Sequence, residues 1–332
     1  MAPYGSRGMY RCGVPSRAAT IEAMTQIARV RIGWRDLPEG VRSRVEEIVG
    51  GGRVTGAESQ PGGFSPGTAD RVVTESGRRA FVKAVSPAIN ERSAELARQE
   101  MRITAAMPAA APVPRLLGAF DDAFDDGEWV VLVLEDVDGA QPRTPWVEGE
   151  IDAAVTALAE LAAAVTPSPV SGVPHAAQNL AGDFAGWAKI AAAPPADLDP
   201  WPAARLPELQ AAAARGLAAC ATGETLTHCD IRADNLLIRA DGRVIVVDWP
   251  WGCVGPVWLD RLLLGLNVLT TGGDPDRVFD GIDAGVVTDV VAGIQGMFEY
   301  VCRLPPPPGI PHVRAFQREQ ADAIRPWLRE RF

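Results

Sequence analysis

A predicted β-hairpin with polar residues at both ends constrains this chain more than any other feature of its sequence. Two short apolar runs, residues 236–238 and 244–247, flank Asp241-Gly242, a dipeptide that favours a tight hairpin turn. Three polar residues precede the first run, His228, Asp230 and Asn235, and Asp248 follows the second. Because the two ends of a hairpin lie side by side, we expect these side chains to converge.

These residue types suit chemistry on a phosphate group. Mg²⁺ binds few protein ligands and prefers oxygen, which the side chains of Asn235 and Asp248 supply. Phosphoryl transfer also needs a carboxylate that orients or deprotonates the attacking hydroxyl, and Asp230 could supply it. A motif of three or four fixed residues also arises by chance, so the rest of the chain must agree with it.

The segment from His228 to Asp248 resembles the catalytic loop and metal-binding aspartate of kinase-fold phosphotransferases, specifically the aminoglycoside phosphotransferase-like family. The resemblance implies that Asp230 is the catalytic base, that Asn235 and Asp248 bind Mg²⁺, and that His228 braces the loop. It implies a two-lobed α+β, protein-kinase-like fold, with an antiparallel sheet in the N-terminal lobe and a mainly helical C-terminal lobe. ATP, or GTP, would be the phosphoryl donor.

Lysine is rare in this chain, because only two of its 32 basic residues, Lys83 and Lys189, are lysines. Lys83 lies in an alternating, strand-like run, residues 79–85, that follows a glycine-containing loop and another strand. Its ammonium group is a compact charge that could contact two phosphates. A single lysine can also fall on a strand without any role, but the order of these elements favours a nucleotide-binding lysine.

The glycine-containing loop carries three further candidates: Gly62, Gly63 and Ser65. Its sequence is neither G-x-G-x-x-G nor a Walker A motif, and small residues also form ordinary turns. A Gly-Gly-x-Ser loop is nevertheless common in the family that the chain resembles. We therefore expect Ser65 and the amides around it to contact phosphate.

The partner of Lys83 is expected on the next helix, residues 91–107, where Leu96, Ile103 and Met107 mark one face. Glu100 lies near the edge of this face and is the preferred partner, with Glu95 as the alternative. Either carboxylate could instead lie in solvent and pair within the helix.

Two further sets of residues follow from the resemblance. The apolar run before residue 135 ends in a segment that resembles the hinge of the family, where backbone groups of Glu135 and Val137 would hold the base. Arg232 lies two residues after Asp230, where a cation could stabilise the transferring phosphoryl group. An exposed loop arginine is the alternative for Arg232.

The sequence divides into three parts. Residues 1–24 are polar, rich in Gly, Pro and Arg, and expected to be a disordered extension, with Met24 as an alternative start. Residues 25–136 form the nucleotide-clamping lobe, and residues 137–332 form the helical lobe with the catalytic hairpin and the acceptor pocket. Within these lobes, an acidic turn is expected over residues 121–127 and a helix over residues 181–193.

Composition excludes several classes of protein. The net charge of −10 disfavours nucleic acid and anionic membranes as partners, and no apolar run is long enough for a membrane span. Five scattered cysteines without a C-x-x-C pair indicate a reducing, cytoplasmic environment rather than disulfides or zinc. The expected partners are a nucleotide and a small hydroxylated substrate.

The segment after the hairpin favours a small-molecule acceptor over a protein. Asp248-Trp249-Pro250 replaces Asp-Phe-Gly, and no Ala-Pro-Glu follows, so no protein kinase activation segment is recognisable. The sequence therefore predicts an ATP-dependent kinase that phosphorylates a hydroxyl of an aminoglycoside, another antibiotic or a metabolite. The alternative is a catalytically idle nucleotide-binding module, and the acceptor and the oligomeric state stay open.

Overall fold

A five-stranded antiparallel sheet forms the N-terminal lobe, in the order β1-β2-β3-β5-β4. The structure, a computed structural model, describes residues 32–60, 66–306 and 312–332. The elements of this lobe are Val54–Ser59 (β1), Thr68–Thr74 (β2), Arg79–Val85 (β3), Leu116–Phe124 (β4), Gly127–Leu134 (β5), and the helices Glu39–Val49 (α1) and Glu91–Ala105 (α2). The predicted extension, residues 1–24, lies outside the described residues.

Side chains along the central strands point alternately to the two faces of the sheet, and the two faces differ in what they contact. Val72, Ala80 and Val82 point to one face and are fully buried in a cluster with α1. Arg71 and Lys83 point to the opposite face, which lies against the C-terminal lobe. The period of two along each strand therefore separates the core of the lobe from the side that faces the C-terminal lobe.

The β4–β5 hairpin is longer than the sequence predicts. We expected an acidic turn over residues 121–127, but β4 continues to Phe124 and pairs with Gly127. Asp121 and Asp122 therefore lie within the strand, where they pair with Arg98 on α2 and Arg44 on α1. These pairs compensate charges that looked like a turn signal in the sequence.

Nine helices account for most of the described part of the C-terminal lobe: Glu148–Ala164 (α3), Ala176–Phe184 (α4), Gly186–Ala192 (α5), Pro200–Ala204 (α6), Leu206–Ala219 (α7), Leu259–Thr270 (α8), Asp276–Phe279 (α9), Ala284–Val301 (α10) and Val313–Arg329 (α11). Four short strands complete it: Thr225–Thr227 (β6), Leu236–Ile238 (β7), Val244–Val246 (β8) and Cys253–Gly255 (β9). Within the described ranges, no helix is both long and apolar enough to cross a membrane.

The helix expected over residues 181–193 is divided, and its two parts are α4 and α5. Gly186 begins α5 and lies so close to α10 that a Cβ atom there would meet the carbonyl oxygen of Gly296 at 2.1 Å. Trp187 is fully buried and donates its indole N–H to Ala292 O at 2.7 Å. The absence of a side chain at Gly186 therefore allows α5 to pack closely against α10.

A buried carboxylate joins the last two helices. Glu299 on α10 is 0% exposed and pairs with Arg303, Arg318 and Arg325, the last two on α11. Several arginines around one carboxylate compensate its desolvation, which a single pair would achieve less well.

The division between the lobes at residue 136 remains a proposal, which is supported by the end of β5 at Leu134 and the start of α3 at Glu148.

Candidate active site

The predicted catalytic hairpin is present. β7 pairs with β8 in antiparallel register, with Leu236 opposite Val246, and Gly242 in the turn has φ +84°. The backbone carbonyl oxygen of Asn235 accepts the N–H of Val247 at 3.0 Å, so the residues just outside the two strands also pair. The hairpin therefore brings Asn235 next to the segment that carries Asp248.

His228 connects the catalytic loop to the end of this hairpin. Its ring is fully buried, and Nε2 lies 2.9 Å from Val247 O. A carbonyl oxygen only accepts, so Nε2 carries the proton and Nδ1 is left to accept the backbone N–H of Asp230 at 3.2 Å. The imidazole thus spans the loop, in the place that a bracing residue would occupy.

Asp260, at the start of α8, holds the same loop from the other side. Its two carboxylate oxygens accept the backbone N–H groups of His228 at 2.7 Å and of Cys229 at 2.9 Å. Burial raises the pKa of Asp260, and these two hydrogen bonds oppose that effect. Cys229 has a φ of +64°, in the left-handed region that few non-glycine residues adopt, so the loop turns sharply before Asp230.

Asp230 is half-buried and surrounded by polar groups of its own loop. Asn235 Nδ2 donates to the backbone oxygen of Asp230 at 2.8 Å and to its Oδ2 at 3.3 Å. Arg232 lies 3.7 Å from Asp230 Oδ1 and is also paired with Asp234 at 2.9 Å. Burial raises the pKa of Asp230, while the Arg232 cation partly lowers it.

Lys83 contacts carboxylates from both lobes. Its Nζ lies 2.7 Å from Glu100 Oε1 and 2.6 Å from Asp248 Oδ1. Burial alone would lower the pKa of Lys83, but the two carboxylates outweigh it and raise the pKa. The alternative partner, Glu95, instead pairs with Arg92 at the exposed surface of α2.

The carboxylates that hold Lys83 differ in environment. Burial raises the pKa of Glu100, which also accepts the backbone N–H of Trp249 at 3.3 Å. Burial would likewise raise the pKa of Asp248, but the charge of Lys83 lowers it overall. Asp248 therefore stays ionised, as a metal ligand must.

The donor set at the hairpin fits Mg²⁺. Asn235 uses its side-chain N–H on Asp230, which leaves the amide oxygen for a metal, and Asp248 Oδ2 has no hydrogen-bond partner in the described part of the chain. In the same ranges, no cluster of three or more His, Cys, Asp or Glu residues could hold a metal by itself. A metal here would share its coordination with phosphate and water, as Mg²⁺ commonly does.

The predicted hinge is tied to both lobes by ion pairs. The Glu135 side chain contacts Arg115 at 3.1 Å and Arg239, just after β7, at 2.8 Å. The backbone N–H of Glu135 donates to Arg115 O at 2.8 Å, so its carbonyl oxygen is the group left for a ligand. The backbone N–H of Val137 has no acceptor within residues 32–60, 66–306 and 312–332, whereas its carbonyl oxygen accepts from Arg71 at 3.2 Å.

Two residues beside the hinge were not predicted from the sequence. Arg71 on β2 and Phe81 on β3 are opposite each other in the sheet, on the face that carries Lys83. The strand pattern predicts that face, but the contact of Arg71 with Val137 depends on how the sheet meets the hinge. The other predicted phosphate contacts, Gly62, Gly63 and Ser65, lie outside the described residues.

Most of the chain matches a known protein family. Residues 61–285, more than half of the chain, match the phosphotransferase enzyme family, APH. The chain belongs to this family. No curated protein matches it.

Solved structures of phosphotransferases share the fold. The GDP and kanamycin complex of APH(2")-IIia aligns with a TM-score of 0.57 at 12% identity, over 88% of this chain and 98% of that one. The amicoumacin kinase hAmiN, in complex with AMP-PNP, Ca²⁺ and Ami, gives 0.54 at 13%, over 92% and 96%. Choline kinase LicA from Streptococcus pneumoniae gives 0.52 at 11%, over 87% and 98%. The chain therefore has a kinase-like fold.

Proposed function

We propose that this phosphotransferase-family member is a small-molecule kinase that moves the γ-phosphoryl group of ATP, or of GTP, to a hydroxyl group. The contact of Lys83 with both Glu100 and Asp248 carries the proposal most directly. It places a cation from the N-terminal lobe within reach of the carboxylate that would bind the metal. Phosphates bound there would meet the positive charge of Lys83 on one side and that of the metal ion held by Asp248 on the other.

Asp230 acts on the acceptor in this proposal. Burial raises its pKa, which makes its carboxylate a better proton acceptor than an exposed aspartate. Asn235 holds the side chain of Asp230, while His228 and Asp260 hold its backbone and that of the two preceding residues. The carboxylate is thus fixed in position before a hydroxyl group arrives.

Asn235 and Asp248 would hold Mg²⁺ through the oxygen atoms that their other hydrogen bonds leave available. The ion, when bound, neutralises charge on the phosphates and on the group being transferred. Lys83 exchanges its contact with Asp248 for phosphate oxygens while Glu100 keeps it in place. Arg232, near Asp230 and Asp234, adds positive charge at the acceptor side.

The short connection after the hairpin supports a small acceptor. Residues 249–258 lead from Asp248 through the three-residue strand β9 directly into α8, which leaves little room for a peptide-docking segment. Similar structures bind kanamycin and amicoumacin, and one is a choline kinase. We propose an acceptor of that kind, an antibiotic or a small metabolite with a hydroxyl group, bound beside Asp230.

The decisive experiment measures phosphoryl transfer from labelled ATP or GTP, with Mg²⁺, to a panel of hydroxylated antibiotics and metabolites. Asp230→Asn should reduce turnover at least about a thousandfold, because general-base and orienting effects are lost together. The variant should still bind the nucleotide.

Asp241→Asn is the matched control, because Asp241 lies in the exposed turn of the same hairpin and, within the described residues, forms its ion pair with Arg243. It should keep turnover within about twofold, as exposed pairs contribute little. Full turnover in Asp230→Asn contradicts the assignment. Nucleotide binding without transfer to any acceptor favours the idle module instead.

A further inference from the structure

An arginine side chain from the sheet contacts the proposed hinge. Arg71 lies on β2, and its Nη2 donates to the carbonyl oxygen of Val137 at 3.2 Å. Its Nε lies 3.4 Å from Oδ1 of Asp136, the residue between the two hinge positions Glu135 and Val137. The side chain of Arg71 is 23% exposed and that of Asp136 is 2% exposed, so these contacts are largely shielded from water. The guanidinium group is therefore held beside the hinge backbone.

With Arg71 in this position, the hinge backbone offers a defined set of groups to a ligand. The carbonyl oxygen of Glu135 is available as an acceptor and the N–H of Val137 as a donor, because neither has a backbone partner in the part of the chain that the structure describes. The carbonyl oxygen of Val137 already accepts from Arg71. Along the chain, the hinge thus presents an acceptor, a donor and an occupied acceptor.

Adenine and guanine present different edges to such a hinge. Adenine donates from its 6-amino group and accepts at N1, which matches the carbonyl oxygen of Glu135 and the N–H of Val137. Guanine accepts at O6 and donates from N1–H and from its 2-amino group. If O6 accepted from Val137, the guanine donors would lie at the carbonyl oxygen of the same residue. A carbonyl oxygen has two lone pairs, so it cannot serve Arg71 and both guanine donors.

We propose that Arg71 makes the nucleotide site selective for adenine, so that ATP rather than GTP is the phosphoryl donor. The inference rests on the proposed function, in which the hinge backbone holds the base. Arg71 occupies the acceptor that guanine needs and leaves available the two groups that adenine needs. Phe81, opposite Arg71 on β3, presents a ring on the same face of the sheet. Either base could pack against that ring, so Phe81 does not discriminate between them.

Calorimetric titration of the full-length protein with ADP, GDP and IDP, each with Mg²⁺, tests the proposal. Hypoxanthine, the base of IDP, has O6 and N1–H like guanine but lacks the 2-amino group. We expect ADP to bind at least about tenfold more tightly than GDP, because a mismatched edge leaves polar groups unpaired. The affinity for IDP should lie within about threefold of that for GDP, because O6 and N1–H already cause the mismatch.

The variant Arg71→Met removes the guanidinium group but keeps a long, unbranched side chain. Asp136 still pairs with Arg79, at 2.6 Å, so its buried carboxylate is not left without a cation. The ratio of ADP affinity to GDP affinity should fall at least about fivefold, mainly because GDP binds more tightly. Arg71→Leu serves the same purpose if the methionine variant does not fold.

The matched control is Arg79→Gln, because Arg79 pairs with the same carboxylate as Arg71. Its side chain is 54% exposed, and within residues 32–60, 66–306 and 312–332 it forms no hydrogen bond with Val137. The affinity ratio should therefore stay within about twofold of that of the unmodified protein. Arg79→Gln separates the contact of Arg71 with the hinge from a general effect of losing an arginine beside Asp136.

Three results overturn the selectivity while the proposed function stands. These are GDP binding as tight as ADP binding, an unchanged affinity ratio in the Arg71 variant, and IDP binding as tight as ADP binding. The last would show that the 2-amino group alone, rather than the occupied carbonyl oxygen, excludes guanine. Absence of binding by all three nucleotides contradicts the proposed function itself, and the selectivity with it. Binding of ADP without phosphoryl transfer from ATP contradicts the transfer step alone.

Discussion

The pairing of Lys83 with Glu100 can be tested against a neighbouring carboxylate on the same helix. Glu100 is 4% exposed and contacts Lys83 with both oxygens, whereas Glu95 is exposed and pairs with Arg92. Glu100→Gln leaves Lys83 with Asp248 as its only carboxylate, which competes with nucleotide and metal. We expect kcat/KM for the nucleotide to fall about tenfold or more, equivalent to about 1.4 kcal/mol.

Glu95→Gln is the matched control for that measurement. It removes a carboxylate from α2 without changing the contacts of Lys83, so kcat/KM should stay within about twofold. Steady-state kinetics with varied nucleotide compares the two variants. Equal effects would show that Glu100 acts only through the stability of the helix.

Arg232 gives a prediction about pH. The charge of Arg232, 3.7 Å from Asp230, partly opposes the rise in pKa that burial causes. Arg232→Gln removes the opposing charge, so the pKa of Asp230 should rise further. Because the base must be deprotonated, the acidic limb of the kcat/KM profile should move to higher pH.

The control for the pH measurement is Arg243→Gln, since Arg243 pairs with Asp241 in the exposed turn of the hairpin. Its acidic limb should not move. A limb that stays in place in Arg232→Gln, or moves to lower pH, contradicts the electrostatic coupling between Arg232 and Asp230.

At the scale of elements, the catalytic hairpin depends on one glycine in its turn. Gly242 has φ +84°, and a Cβ there would meet nothing within 4 Å, so a substitution meets only backbone strain. Gly242→Ala should therefore lower the free energy of unfolding by about 1 kcal/mol. Urea denaturation followed by circular dichroism measures the change.

Gly149, in the first turn of α3, is the comparison for Gly242. Its Cβ would also meet nothing within 4 Å, and its φ lies outside the left-handed region. Gly149→Ala should leave stability unchanged or raise it by up to about 1 kcal/mol. If both substitutions destabilise the protein equally, the turn geometry is not the cause.

Local signals predicted the elements better than they predicted where each one ends. Asp241-Gly242 between apolar runs was sufficient to predict the β7–β8 hairpin. The division between α4 and α5 was missed, because it depends on contact of Gly186 with Gly296, which is 110 positions further along the chain. Charge compensation of Asp121 by Arg98 likewise extended β4 beyond its predicted end.

For the whole molecule, the order of motifs along the chain predicted the kinase-like fold, which the family match and the solved structures confirm. Because lysine is scarce in the chain, Lys83 stood out in the sequence as a candidate nucleotide-binding residue. Contacts between distant elements could not be predicted. Arg71, for example, donates to the carbonyl oxygen of Val137, 66 positions further along the chain.

We propose that metal and nucleotide bind between Lys83 and Asp248, while Asp230 acts on the acceptor hydroxyl and does not contribute to nucleotide binding. Calorimetric titration with AMP-PNP and Mg²⁺ tests it directly, because a non-hydrolysable nucleotide needs no acceptor. The unmodified protein and Asp230→Asn should bind with affinities within about threefold, and Asp248→Asn should bind at least about tenfold more weakly. No binding by the unmodified protein at millimolar nucleotide, or equal weakening by Asp230→Asn and Asp248→Asn, would contradict the claim.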